Sequence, residues 1–285
     1  MPFPDFDPVL LQIGPFAIRW YALAYVAGIL LGWRYVAGLI KNQSLWGPRG
    51  APATTAQIDD LILWITLGVI LGGRLGHVLF YTPSLIFTDP LEVVKVWNGG
   101  MSFHGGTLGV MIAIIAFARV NKIDVFRLGD SIAGAVPIGL FFGRIANFIN
   151  GELWGRPTDV PWAFVFPNAG VMPRHPSQLY EAALEGLVLF LILRWATHGA
   201  KLLQRRGVVA GIFFLGYAVF RTFVENFREP DRYLQEFPLG LTMGMMLSAP
   251  MVIGGAWLIW RGMREPLATA ADAPAQPPTA KTQAP

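Results

Sequence analysis

The sequence predicts an all-α, polytopic membrane bundle of seven transmembrane helices, and three observations predict it. Charged residues make up only 14% of the 285, while apolar types reach 54% and the mean hydropathy is +0.48. An ordinary soluble domain carries roughly 25% charge, so this chain lacks the polar groups to cover a surface in water. Secondly, the apolar residues gather in seven segments close to the ~20 residues that a helix needs to cross about 30 Å of hydrocarbon. Thirdly, runs such as LILWITLGVILGG and GVMIAIIAF do not alternate polar with apolar, as spanning strands would. The same composition excludes a disordered chain, and the 32 glycines show no collagen-like triplet period.

The first span runs from Phe16 to Ile40. It follows Asp5 and Asp7 rather than basic residues and is too long for a cleavable signal peptide, so it is expected to stay in the protein. Leu61 to Phe80 forms the second span. Residues 83–100, PSLIFTDPLEVVKVWNGG, are amphipathic with Trp97 at their edge and are expected to lie along the outer interface. The third and fourth spans are Met101 to Ala118 and Ser131 to Ile149. Residues 151–176 follow, with Trp154, Pro157, Pro161, Pro167 and Pro173, and read as a small external cap. Tyr180 to Ala196, Val208 to Val224 and Leu239 to Trp260 complete the seven, so that residues 1–264 form one transmembrane domain. The Ala, Pro, Thr and Gln of residues 265–285 show no periodicity and predict a disordered tail.

Basic residues set the expected orientation. Lys41, Arg49, Arg119, Lys122, Arg127, Lys201, Arg205, Arg206, Arg261, Arg264 and Lys281 fall on one side, against Lys95, Arg156, Arg174, Arg228 and Arg232 on the other. Cytoplasmic loops carry the excess, so the N-terminus is expected outside and the C-terminus in the cytoplasm. The net charge of +4 and pI near 9.5 thus reflect membrane topology, and no nucleic-acid partner is expected.

With no cysteine in the chain, any sulfur chemistry must come from a substrate. His77, His104, His175 and His198 are too scattered for a metal site, and neither metal nor cofactor is expected. Charge inside the membrane is costly, about 2.5–3.5 kcal/mol or more for an arginine at a helix centre, so each case needs a reason. Arg19, Arg34 and Arg194 lie near span ends, where they can reach headgroups. Arg74 sits deeper with His77 three residues on, and packing, headgroup and site roles all remain open for it. Arg144 and Asn147 share a helix face, and Asn150 and Glu152 follow where Gly151 should break the helix. A guanidinium, an amide and a carboxylate there can receive a phosphate with adjacent hydroxyls, or can simply tie helices together. Arg221, Glu225 and Arg228 stack at i, i+4 and i+7, with an excess of one positive charge that favours an anionic guest over a closed salt-bridge ladder. His104 precedes Gly105 and Gly106 at a helix start, where free amides attract anions and glycine permits close approach. In RHPSQLYE, Arg174 to Glu181, helix initiation explains most residues, with Ser177 as the N-cap. Trp20 and Tyr21 read as interfacial anchors, or offer a phenol into the bundle.

Four motifs, HGG before the third helix, GRIANFINGELWG in the fourth, RHPSQLYE at the fifth and FRTFVE in the sixth, together resemble the bacterial prolipoprotein diacylglyceryl transferases over residues 1 to about 262. The resemblance implies an inner-membrane enzyme, active toward the periplasm. It would move diacylglycerol from phosphatidylglycerol to the thiol of a prolipoprotein's lipobox cysteine, releasing glycerol phosphate. It implies that Tyr21, His104, Arg144, Asn147, Gly155 and Arg221 occupy functional positions, with Glu152 and Glu225 in support. On this reading Arg144 and Arg221 hold the phosphate, with Arg228 beside them, and Asn147 and Tyr21 orient the glycerol. His104 takes the thiol proton or donates to the phosphate. The competing reading is a transporter or flippase of anionic lipid, in which the arginines line a polar path reaching both faces.

Overall fold

A computed structural model of the chain describes residues 1–4, 6, 7, 9–14, 16–229 and 242–272. Leu239, Arg232 and the part of the expected tail beyond residue 272, Lys281 included, lie outside the described residues. Val9–Ile13 (β1) and Phe16–Arg19 (β2) pair antiparallel, turning at Gly14, whose φ of +56° suits glycine. The first helix, α1, therefore spans Trp20–Lys41. The stretch from Phe16 to Arg19, expected as its opening turn, is instead the second arm of a hairpin.

Most of the other helices begin where side chains can satisfy free amides. The second, α2, spans Thr55–Tyr81, six residues ahead of the expected Leu61, because Thr54 and Gln57 form a reciprocal capping box. Phe103–Val120 (α3) follows Ser102, whose hydroxyl accepts from the Gly105 amide. Val125–Ile149 (α4) starts at Asp124, which accepts from the amides of Phe126 and Arg127, and it breaks briefly at Gly134 and Ala135. Residues 177–199 (α5) alternate α-helical turns with two π-helical stretches, Ala182–Val188 and Trp195–Gly199. Val208–Val224 (α6) has the expected bounds, and Met243–Arg264 (α7) ends on Arg261 and Arg264. Past α7, Glu265 pairs with Arg261 at 2.7 Å and Arg206 at 3.7 Å, so the chain is still tied to the bundle where the tail was expected to begin. Among the described residues five helices, α1, α2, α3, α4 and α7, are long and apolar enough to cross a membrane, and α6 is apolar but shorter.

Helices in lipid gain little from hydrophobic contrast, so close backbone approach must hold them together. Gly68, Gly72 and Gly76 of α2 face Gly105 and Gly109 of α3, and a Cβ on Gly72 would lie 2.4 Å from the Gly105 carbonyl oxygen. Gly211 of α6 meets Gly255 of α7 in the same way. The apolar core, with Leu39, Trp46, Ile58, Phe117, Leu128, Leu189, Leu193 and Val209, fills one end of the bundle. There Asp130 of α4 accepts from the amides of Gly207 and Ala210 at 2.7 and 2.8 Å, capping α6 from a neighbouring helix. The opposite end gathers the start of α1, α5 and α7 and the finish of α4 and α6.

Residues 83–100 form short turns, Leu85–Thr88, Glu92–Val94 and Val96–Asn98, that expose Phe87, Leu91 and Trp97. They are held by the buried Arg74, whose guanidinium donates to the carbonyls of Val93, Glu92 and Gly99. The roles left open for Arg74 thus narrow to packing, since all three of its nitrogens serve this loop.

Candidate active site

The site is built at the end of the bundle opposite the core. Helix α4 ends at Ile149 with Asn150 as its C-cap, and Gly151, at φ +63°, turns the chain back so that the Glu152 amide donates to the Asn147 carbonyl at 3.1 Å. The turn carries the Glu152 carboxylate under the Asn147 amide, which donates to it at 2.8 Å, with Asn150 at 3.4 Å. Glu152 is further fixed through its carbonyl, which accepts from Gln178 of α5. Gly155 then passes so close to the segment after α6 that a Cβ there would lie 2.5 Å from the Phe227 carbonyl oxygen and 2.7 Å from the His175 Cβ. Its place is therefore a backbone crossing that only glycine permits. The cap closes over an aromatic cluster of Phe3, Phe148, Phe164 and Phe166, and Met1 pairs with Ala163 and Val165.

Helix α5 lies against α4 because Gly186 offers no side chain, and a Cβ there would stand 2.7 Å from that of Phe141. This approach carries Glu181 and Glu185 to the end of α4. Arg144 Nε meets Glu181 at 2.7 Å, and its Nη2 stands 3.9 Å from Glu185. From α6, Arg221 meets the other Glu181 oxygen at 2.9 Å, Glu185 at 3.9 Å and Glu225 at 2.5 Å. Arg228 completes the cluster, 3.7 Å from Glu225 and 4.0 Å from Glu181. Gly244 of α7 covers this edge, as a Cβ there would press on the Glu225 carboxylate.

Three guanidinium groups from two separate stretches of chain are thus brought together, but so are three carboxylates. Among the described residues, Glu181 and Glu185 balance the set, so the excess of one positive charge expected from Arg221, Glu225 and Arg228 does not survive folding there. The exposures separate the two signs. The side chains of Arg144, Arg228 and Arg221 are 17%, 13% and 10% exposed, whereas those of Glu181 and Glu185 are fully buried. The carboxylates brace the cluster from behind, and the guanidinium groups keep its accessible face.

Other expected features stand elsewhere. Tyr21 is at the start of α1, its hydroxyl 3.1 Å from that of Tyr25, within electrostatic range of Arg144 and Glu152. His104 is exposed, its ring edge-on to Phe103, and no described hydrogen bond or ion pair links it to the arginines. The open helix start expected at Gly105 and Gly106 is not present. Both glycines are buried, and Ser102 takes both amides, Gly105 through its hydroxyl and Gly106 through its carbonyl. Nor does Ser177 cap α5, since its hydroxyl donates to the Leu153 carbonyl at 3.1 Å.

The family model described as prolipoprotein diacylglyceryl transferase matches residues 8–261, which include every residue of this cluster. The chain belongs to the prolipoprotein diacylglyceryl transferase family. A relative from Phenylobacterium zucineum, named phosphatidylglycerol--prolipoprotein diacylglyceryl transferase, is 67% identical over 96% of this chain and all of its own length. Proteins of the same name from Caulobacter vibrioides and Rhizobium meliloti are 57% and 56% identical, covering 96% and 92% of this chain and 99% and 94% of theirs. The transferase thus matches these relatives over more than nine-tenths of its length. Glu181 and Glu185 are the members of its cluster that reading by sequence passed over. A signal for them existed in EAALE, which places two acids four residues apart inside an otherwise apolar span.

Proposed function

We propose that the protein transfers the diacylglyceryl group of phosphatidylglycerol to the thiol of the lipobox cysteine in a prolipoprotein, the first step of lipoprotein maturation. A sulfur–carbon bond forms at the glycerol carbon while the carbon–oxygen bond to phosphate breaks, and glycerol phosphate leaves. The observation that carries this reading is the arrangement of Arg144, Arg221 and Arg228 on the accessible face with buried carboxylates behind them. As the bond breaks, negative charge grows on the phosphoryl oxygens, and preset guanidinium groups favour that state over the starting diester. Asn147, held by Glu152, and Tyr21 orient the glycerol portion, and Gly155 and Glu225 fix the backbone and charge around it. His104 stands as candidate base for the thiol, worth about 10² to 10⁴ in rate.

In the proposed setting seven helices cross the bacterial inner membrane, with the N-terminus outside, the C-terminus in the cytoplasm and the cluster toward the periplasm. Residues 1–264 form the catalytic domain, with 83–100 at the interface and 151–176 as the cap, and 265–285 are the cytoplasmic tail. A lipid transporter fits less well, because its polar path must reach both faces. Here the ion cluster sits at one end and Leu39, Leu128, Leu189 and Leu193 pack the other.

The test is incubation of purified protein with phosphatidylglycerol and a lipobox peptide, read by mass on the peptide cysteine. Gain of one diacylglyceryl group is expected, with loss in Arg144→Ala and Arg221→Ala. Absence of gain where a relative succeeds sinks the reading. Near-normal turnover in His104→Gln removes His104 as base.

A further inference from the structure

Glu185 is the part of the cluster that phosphate holding alone does not explain. Its side chain is fully buried, and neither carboxylate oxygen accepts a hydrogen bond from a described residue. Its nearest cations, Arg144 and Arg221, stay at 3.9 Å, whereas the same two arginines meet Glu181 at 2.7 and 2.9 Å. The described groups around it are Glu181 on its own helix, Arg144 from α4, Tyr217 and Arg221 from α6, and Arg228 beyond α6, with Glu225 paired to Arg221. Among the described residues, three positive charges already face three negative ones. A phosphodiester adds one more negative charge, and a buried excess charge with no partner is strongly unfavourable. Two neighbouring carboxylates relieve such an excess by keeping one proton between them.

We propose that Glu185 is the proton seat of this cluster: entry of a phosphodiester headgroup among Arg144, Arg221 and Arg228 is accompanied by uptake of one proton onto the Glu185 carboxylate. The inference rests on reading the cluster as the phosphate site. The proton comes from water, one O–H bond forms on Glu185, and nothing is oxidised or reduced. Neutral Glu185 no longer competes for Arg144 and Arg221, whose outer nitrogens then turn to the phosphate. Glu185 acts through the arginines and not on the lipid, so it is a positioning residue. Glu181 is less suited to hold the proton, because protonating it would strip both arginines of their closest anion.

The test is calorimetric titration of the full chain in detergent with short-chain phosphatidylglycerol, in buffers of different ionisation heat. A second arm uses the deacylated headgroup, a phosphodiester that does not itself titrate near neutral pH. About one proton should be taken up per molecule bound, and where uptake is complete the affinity should fall about tenfold for each unit rise in pH. Glu185→Gln should bind with no uptake and no pH slope. Uptake in both arms assigns the coupling to the phosphodiester alone, and uptake only with the lipid assigns it to the headgroup seated with its acyl chains; both support the proposal. Binding by the unaltered protein without proton uptake overturns it and leaves the phosphate site intact, so the answer does not depend on how the variant folds. No binding in either arm removes the phosphate reading itself.

Discussion

At the scale of single residues, Glu181 holds the cluster together. It is fully buried and touches Arg144 and Arg221 through different oxygens. Removing one partner of a buried ionic set leaves the others uncompensated, at a cost of about 3 to 5 kcal/mol. Glu181→Ala should therefore lower thermal stability in detergent and abolish phosphatidylglycerol binding, measured together on one preparation. Arg74 offers a contrast. Arg74→Met should free residues 92–99 at about 0.5 to 1.5 kcal/mol per lost hydrogen bond, seen as faster proteolysis within 83–100. The arginines were legible in the sequence because a charge inside an apolar run is conspicuous. Their partners were not, because the pairing of Glu181 with Arg144 and Arg221 depends on which helices meet. The glycines of HGG misled for the same reason, as only the neighbouring α2 reveals that they are packing surface.

At the scale of elements, glycine decides which helices approach closely enough to bond. Gly186→Val should push α5 off Phe141, an overpacking that costs about 1 to 3 kcal/mol and pulls Glu181 away from Arg144. Transfer activity should fall far more than in Gly139→Ala, where a Cβ meets nothing within 4 Å. Equal activity of the two variants would show that α4 and α5 need not be this close. The cap is expected to respond to acid. His175 packs on Phe227 and Tyr180, and burial lowers its proton affinity below that of the unfolded chain. Its folded-state pKa is depressed, so the unfolded chain takes up the proton first and stability is lost as pH falls through about 6.5. Melting temperature measured from pH 7.5 down to pH 5.5 should drop less in His175→Phe than in the unaltered protein. Helix starts were partly legible: α6 begins where expected, while the capping box at Thr54 starts α2 six residues ahead of Leu61, the Asp124 cap starts α4 at Val125 and not at the expected Ser131, and the hairpin before Trp20 delays α1.

At the scale of the whole molecule, the polar cluster and the apolar core lie at opposite ends of the bundle, and the proposed orientation follows from the basic loops. The cysteine-free chain permits a direct test. Thr158→Cys in the cap should react with a membrane-impermeant thiol reagent applied to intact cells stripped of their outer membrane. Ser44→Cys, between α1 and α2, should react only after lysis. The reverse pattern would invert the topology.

Composition, periodicity and local motifs by themselves determined the helical membrane character, the family resemblance and the arginines on which the proposed chemistry rests. They could do so because an apolar run, a charge within it and a motif are all properties of consecutive residues. Only the tertiary structure decided the charge balance, the burial of Gly105 and Gly106, the commitment of Arg74 to a loop and the arrival of Glu181 and Glu185 behind the arginines. Those outcomes depend on how closely the backbones of α2 with α3, and α4 with α5, can approach, a distance set by glycines that meet across the chain.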